Sequence, residues 1–333
     1  MGLFQTDAWQ ISWWNEWGRR PDVELCFHGL GGSSGAYVHS YPIAKVFSIR
    51  CLQYVGTSYR KLSTPRTEYN TLGSVADLLP ALKKMESFDW TEAVFSDMKS
   101  ESGELQEMER WARKNGWYLR AIRWDTAYGI DAAGSFDQYL GMLGRNTRLK
   151  LYNRRKIFES VGDIVEENFW PNRAGDFFDL LNDFHRVRWG RPCFSDRSIA
   201  FHLDFLSHAE ACGIQPLLMV LYNDQRPLSV LYNALHQGTI YNIQAGYAEN
   251  FHKKIALGTL HLGYSIESAF NDPSVRYFDL LAGEGKNTNY KSHLATDQTP
   301  LTTFMIVRSP MFRLLYRIKD AISRLKEFRA AIG

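Results

Sequence analysis

Cysteine is scarce in this 333-residue chain: Cys26, Cys51, Cys193 and Cys212 form neither a CxxC pair nor a zinc-like spacing. A chain this long can bury a core without disulfide staples, so the four read as reduced thiols in a reducing compartment. Net charge is equally thin. Lys and Arg number 39 against 36 Asp and Glu, a formal +3, which gives the whole molecule no strong electrostatic pull toward nucleic acid or a membrane. No stretch approaches the roughly 18 uninterrupted apolar residues of a membrane span, and the N-terminus has no basic start or apolar run of a secretory signal. A cytoplasmic protein is expected. No HExxH or comparable metal spacing occurs, so no metal site is assigned, and the GxSxG nucleophile elbow is missing. The glycine-rich stretch at 29–35 lacks the Lys-Ser/Thr pair of a phosphate loop and reads as a hairpin connection.

What the chain has in excess is aromatic residues, at 14% with ten Trp, seventeen Tyr and twenty Phe, suited to large cores and to grooves for sugars or extended ligands. At 45% hydrophobic and 23% charged it has the composition of a folded globular protein, long enough for two domains of about 150 residues. The first 130 residues read as α/β. A helix-like aromatic start at 9–17 precedes strand-like runs at 23–27, 37–43 and 49–55, then a helix at 103–115 and a strand at 117–122. Ser135 has the character of an N-cap for one long helix over 135–160, with Phe136, Tyr139, Leu140 and Leu143 at helical spacing. Six basic residues fall without an acid between 145 and 156, either a solvated face or a contact for phosphates or RNA.

The second half is more regular. Helices are expected at 177–188 and 199–211, and strands at 217–222, 228–234 and 239–245 joined by tight turns. A helix over 258–270 and a strand over 276–280 follow. A strand that runs into a helix start leaves backbone N–H groups unpaired at the positive end of the helix dipole, an arrangement suited to a pyrophosphate. Lys253 and Lys254 add charge ahead of that turn, and Gly258 would let a phosphate approach the backbone. Within the strand, Asp279 alternates with Tyr277 and Leu281, and a carboxylate among apolar neighbours needs a partner or a role. His185 and Trp189 lie four apart on one helical face, where they serve packing or an aromatic floor for a sugar. The tail at 308–329, with seven basic and two acidic residues and an apolar stripe at 314, 318, 322, 325 and 328, reads as an amphipathic helix able to dock on the core, on a second subunit or on an anionic membrane.

Three segments, GSFDQYLGMLGRNTRLKLYNRRK, HKKIALGTLHLGYSIESA and YFDLLAGEGKNTNYKSHL, resemble the GCN5-related N-acetyltransferase (GNAT) superfamily. The likeness is to its double-module branch found near cellulose and exopolysaccharide genes, itself similar to the Fem-type transferases. The resemblance implies an α/β (α+β) fold of two tandem modules, each a mixed, mostly antiparallel sheet flanked by helices. They would comprise a degenerate module at 1–133, an acyl-CoA-binding module at 134–308 with its leading basic helix, and a basic helix at 309–333. It also implies acetyl-CoA or a longer acyl-CoA as co-substrate, held by Lys253, Lys254, Leu257, Gly258, Thr259 and His261. Asp279, Glu284, Tyr290 and Lys291 fall on the family's strand-loop pattern and would be catalytic, with His185 and Trp189 on the acceptor side. Glu284 or Asp279 would take the amine proton, Tyr290 would protonate the thiolate, and Lys291 would hold an oxyanion or acceptor carboxylate. The expected reaction is N-acyl transfer to a sugar, an amino acid or an envelope or exopolysaccharide precursor. Two alternatives stay open: a Fem-type aminoacyl-tRNA-dependent transferase, the only reading with a nucleic-acid partner, and a non-catalytic module binding a polysaccharide or a protein.

Overall fold

A computed structural model of the chain describes residues 2–29, 31–43, 47–283 and 290–332. Thr6 starts helix α1 (Asp7–Trp13) by accepting from the Trp9 N–H at 3.4 Å, and the helix ends in a π turn over Trp14–Gly18. Strands β1 (Val23–Phe27), β2 (Ala36–Ile43) and β3 (Phe47–Tyr54) form an antiparallel meander, followed by α2 (Val75–Glu86), β4 (Glu92–Lys99), α3 (Gly103–Lys114) and β5 (Tyr118–Asp131). Next come α4 (Phe136–Met142), α5 (Arg145–Arg148), α6 (Arg155–Glu159), β6 (Ile164–Asn168), α7 (Ala174–Trp189) and α8 (Asp196–Ala209). The chain closes with β7 (Ile214–Asn223), β8 (Arg226–His236), β9 (Thr239–Tyr247), α9 (Leu257–Asn271), β10 (Tyr277–Leu281), β11 (Asp297–Val307) and α10 (Pro310–Ile332).

The eleven described strands form one sheet in the order β1-β2-β3-β4-β11-β5-β10-β9-β8-β7-β6. Most pairings are antiparallel, and the α/β architecture expected from sequence is the one found. A plan repeats within it: β1-β2-β3-α2-β4 and β7-β8-β9-α9-β10 are each a meander whose last strand crosses through a helix to a parallel neighbour. The parallel contact is short in both cases, Cys51–Gln53 against Glu92–Val94 and Thr239–Tyr241 against Tyr277–Asp279, and beyond it the strands diverge into a fork. Alternation along β11 sends Phe304 and Ile306 to the side of α2 and α3, while Met305 and Val307 meet Phe312 of α10. The halves are tied by α1, whose fully buried Trp9 packs against Phe201 and Phe205 of α8 at 4.9 and 5.0 Å between ring centroids and donates to Thr67 Oγ1 at 3.1 Å.

Several expectations need correction. The helix expected over 135–160 is capped by Ser135, which accepts from the Gln138 N–H, but it breaks where Leu143 turns extended (ψ 139°) ahead of Gly144. It resumes as α5, a π turn over Leu149–Asn153 and α6. Helix α2, with Pro80 inside it, and strands β4, β6 and β11 were not expected. Strand β11 matters most: residues assigned to a 134–308 module instead lie between β4 and β5 of the first half.

Candidate functional site

The two forks of the sheet differ. In the first half, residues 55–73 fold back into the opening between β3 and β4. Thr57, Thr67, Glu68, Asn70 and Leu72 are buried there, Thr67 Oγ1 donates to the Gly56 carbonyl, and Asn70 Nδ2 donates to the carbonyls of Thr67 and Ser96. The α2 start, which borders a larger cavity, already holds a carboxylate: Asp77 in its first turn accepts from the Ser74 N–H at 3.1 Å and its hydroxyl at 2.6 Å. A negative charge already occupies the positive end of that helix.

In the second half, α9 begins at Leu257 after Ala256 with no side-chain cap and no acid in its first turn. Among the described residues the N–H groups of Leu257, Gly258 and Thr259 donate to no backbone carbonyl. Beside them lies a cleft of about 210 Å³ enclosed by α7, the second half of β9 and the start of α9. Its walls are Phe184, His185 and Trp189 from α7, Asn242 and Gln244 from β9, and Gly258 and Thr259 from α9, with Tyr290 at the rim. His185 Nε2 lies 3.0 Å from the Ala245 carbonyl, and burial lowers its pKa, so the ring is neutral and donates there. Asn242, Asn233 and Ser265 form a buried chain from the cleft wall into the core, Asn242 Nδ2 donating to Asn233 Oδ1 at 2.7 Å and Asn233 Nδ2 to Ser265 Oγ at 3.0 Å. The β8–β9 pairing slips beside it, passing from Tyr232↔Gln244 to Asn233↔Asn242, so Ile243 is a bulge that widens the fork.

A second, larger cavity of about 670 Å³ lies where the halves meet, lined in part by Tyr69, Lys99, Tyr241, Tyr277, Asp279 and Thr299. The cavities share β9 as a wall: its successive residues Tyr241 and Asn242 face the larger and the smaller one. Asp279, 4% exposed, accepts from the Leu281 N–H at 2.7 Å and from the Tyr69 hydroxyl, and burial pushes its pKa up to about 6. Lys291 Nζ donates to the carbonyls of Leu281 and Ala282 at 3.0 and 2.9 Å. Burial lowers its pKa while Glu68 and Asp279 act against the fall. Glu68, 2% exposed, accepts from the Ala282 N–H at 2.8 Å and pairs with Arg66 at 3.3 Å, and burial raises its pKa.

The sequence-derived residues therefore divide. Asp279 and Lys291 meet in a buried charged cluster. Tyr290, with a hydroxyl pKa raised by burial, stands at the smaller cleft together with His185 and Trp189, which border the fork and not the larger cavity. Glu284 lies outside the described residues. His261 corrects the donor set: fully buried, it faces Ser229 Oγ at 2.9 Å and Glu166 Oε1 at 3.0 Å, away from the cleft. Leu257 also turns inward, to Phe158, Leu221 and Leu228, leaving only its N–H to the helix start. Lys253 and Lys254 are exposed in the preceding turn, where the Lys254 carbonyl accepts from Arg154. Gly258 has a neighbour not expected: a Cβ there would meet Tyr247 Cε1 at 2.5 Å, so its small size admits the tyrosine ring. Glu68 was missed altogether, its one sequence signal being the polar run Arg66-Thr67-Glu68 in a segment with no periodicity.

The Glu68 and Asp279 carboxyls have folded pKa values above their ordinary ones, so the folded chain holds their protons more tightly than the unfolded chain. Their contribution to stability is fully present below the ordinary carboxyl range and is lost as pH rises from that range through the raised values, about 6 for Asp279 and about 7 for Glu68. Glu68→Gln keeps an acceptor for the Ala282 N–H, and urea denaturation between pH 4 and 8 is expected to show a flatter loss, with a gain of about 1 kcal/mol or more near neutrality.

Comparison with known proteins places this geometry. Residues 145–292 match the acetyltransferase (GNAT) domain family. The matched span runs from α5 through both fork strands and α9 to just past Lys291. Among curated proteins none matches. Across the whole chain the fold is similar to the crystal structure of FemX, at 11% identity over 94% of each chain with a TM-score of 0.60. It is also similar to the C-terminal domain of a putative lysylphosphatidylglycerol synthetase from Agrobacterium fabrum, at 10% identity over 96% of this chain and 93% of that one with a TM-score of 0.53. A conserved protein of unknown function from Bacteroides thetaiotaomicron gives 12% identity over 91% and 90% with a TM-score of 0.52. At these identities the likeness is one of fold, and it extends over both halves of the chain.

Proposed function

We propose that the chain is an acyltransferase that moves an acyl group from an acyl-CoA lying in the β9–β10 fork to an amine, by N-acetyl or longer N-acyl transfer. The observation that carries this reading is the contrast between two helix starts: at α2 the Asp77 carboxylate already accepts from the Ser74 N–H and hydroxyl, whereas α9 has neither a side-chain cap nor a first-turn acid and its start lines the smaller cleft. Unpaired N–H groups and the helix dipole suit the CoA pyrophosphate, with Lys253 and Lys254 nearby in charge. The acceptor enters from the larger cavity, whose tyrosines and hydroxyl groups suit an amino sugar, an amino acid or an envelope or exopolysaccharide precursor. As the amine attacks the thioester carbonyl and the C–N bond forms, ionised Asp279 takes its proton. When the tetrahedral intermediate collapses the C–S bond breaks, and the Tyr290 hydroxyl gives its proton to the thiolate. Lys291 holds the end of β10 through two carbonyls and presents positive charge beneath the fork.

Thermal-shift titration with acetyl-CoA and longer acyl-CoAs tests the donor. At a hundredfold excess over Kd a rise of several degrees in Tm is expected, and no shift with any acyl-CoA rejects it. One observation favours a second reading: the Tyr247 ring lies against Gly258, where a phosphate would approach the backbone. Aminoacyl transfer from a charged tRNA needs no CoA pyrophosphate there, and the basic residues at 145–156 would supply an RNA contact. A shift with charged tRNA and none with acyl-CoA selects that reading.

A further inference from the structure

Among its described side chains, helix α10 is anchored by one face. Phe312 packs against Tyr41 and Ile49, Tyr316 donates to Glu92 at 2.7 Å, and Asp320 accepts from Tyr118 at 2.9 Å and pairs with Arg120. The opposite face is apolar and open, with Met311, Leu314, Leu315, Ile318 and Ile322 between 42% and 62% exposed. At 100° per residue these five form one stripe. Arg317 borders it on one side, over the Tyr118 ring, and Lys319 borders it on the other, while Arg313 is turned to the Gly116 carbonyl. Asp320, the one acid in the described turns up to Ser323, is turned inward to Arg120, so the outward face is apolar at its centre and positive at its edges.

A second feature adds to this face. The end of the β2–β3 pair presents Ile43 opposite Phe47, 37% and 47% exposed, in register with the pair Tyr41 and Ile49 that α10 covers. Side chains two residues apart on a strand share a face, so Ile43 and Phe47 project on the same side of the sheet as α10. Lys61 lies over the Tyr41 ring on that face, whereas Arg60 is taken up by buried Glu92 at 3.1 Å.

We propose that α10 and the Ile43–Phe47 pair at the end of β2–β3 form a docking surface for an anionic phospholipid bilayer, with the helix lying in the interface and not crossing it. Among the described residues no helix is long and apolar enough to span a membrane. Charge selects the occupant. A second copy paired through this stripe would bring its basic edges against like charge, whereas anionic head groups satisfy both edges while acyl chains receive the stripe.

The test is co-sedimentation of the full chain with vesicles of phosphatidylcholine alone and of phosphatidylcholine and phosphatidylglycerol in equal parts, with sedimentation velocity without lipid as the companion measurement. Binding is expected to the mixed vesicles only and to weaken with added salt. Ile318→Glu should weaken it more than tenfold, Lys319→Ala on the order of fivefold, and Ile43→Ser with Phe47→Ser measurably, all with unchanged Tm. Equal binding to both vesicle types, wild-type binding by the Ile318→Glu and Lys319→Ala variants, or a lipid-free dimer that Ile318→Glu dissociates with no vesicle binding would each overturn the proposal.

Discussion

Asp279→Asn is expected to lower kcat/KM about a thousandfold near neutral pH while the Tm response to acyl-CoA survives, because a positioned general base contributes roughly 10²–10⁴. The substitution is nearly isosteric, and its amide oxygen still accepts from the Leu281 N–H, so the β10 end should stay in place. What is lost is the proton acceptor. The wild-type profile carries a signature of that role: with the Asp279 pKa pushed up to about 6, activity should rise as pH increases through about 6, where the carboxyl ionises, and the Asn variant should lack that limb. Steady-state rates with the true acceptor from pH 5 to 8 decide it. Near-normal turnover in Asp279→Asn would move the base elsewhere, with Glu68 the next carboxylate in the cluster.

Thr259→Asp should abolish acyl-CoA binding without harming the fold. It places at the α9 start the kind of charge that Asp77 already provides at the α2 start. A carboxylate in a first helical turn typically stabilises by about 0.3–1 kcal/mol, so Tm should hold or rise. Against a diphosphate the same charge is repulsive. Each phosphate charge about 5 Å away costs on the order of 3 kcal/mol at an effective dielectric constant near 20, and affinity should fall more than a hundredfold. Thr259→Asn, similar in shape but uncharged, should bind acyl-CoA close to normally. Calorimetric titration of the two variants distinguishes a pyrophosphate site from a helix start left uncapped for other reasons, since the latter predicts equal behaviour.

The parts of the molecule that announce themselves in the sequence are those whose signal is local. The β7–β8–β9 meander is legible because its strands are apolar and its turns hold residues at positive φ, Asp224 and Gln225 in one and Gln237 and Gly238 in the other. Helix α9 and strand β10 are legible by length and period, and Asp279 by its incongruity in an apolar strand. What stays hidden depends on contacts between distant segments. Nothing near Glu68 indicates that its carboxylate will meet the Ala282 N–H, 214 positions away. Nor does anything in Gly258 indicate that the Tyr247 ring will fill the space a phosphate was expected to use. His261 misled for a related reason: period alone does not say which side of a mostly apolar helix faces the sheet, and here the imidazole finds Glu166 from the edge strand β6. The helix at 135–160 failed because favourable spacing continued through Leu143-Gly144, where the backbone leaves the helical region.

The position of β11 sets a timetable for the ribosome. Strands β4 and β5 are made early but pair with each other only through β11, which begins at Asp297. Between Lys99 and Asp297 lie about 200 residues, which at roughly 5–20 residues per second take on the order of 10–40 s to synthesise. Once β5 is made, and until β10 and β11 follow, the nascent first half carries three unsatisfied strand edges, one on β4 and both on β5. Fragments that stop short of β11 should therefore be captured by chaperones or aggregate, and a fragment restricted to the first 133 residues should not yield a stable fold.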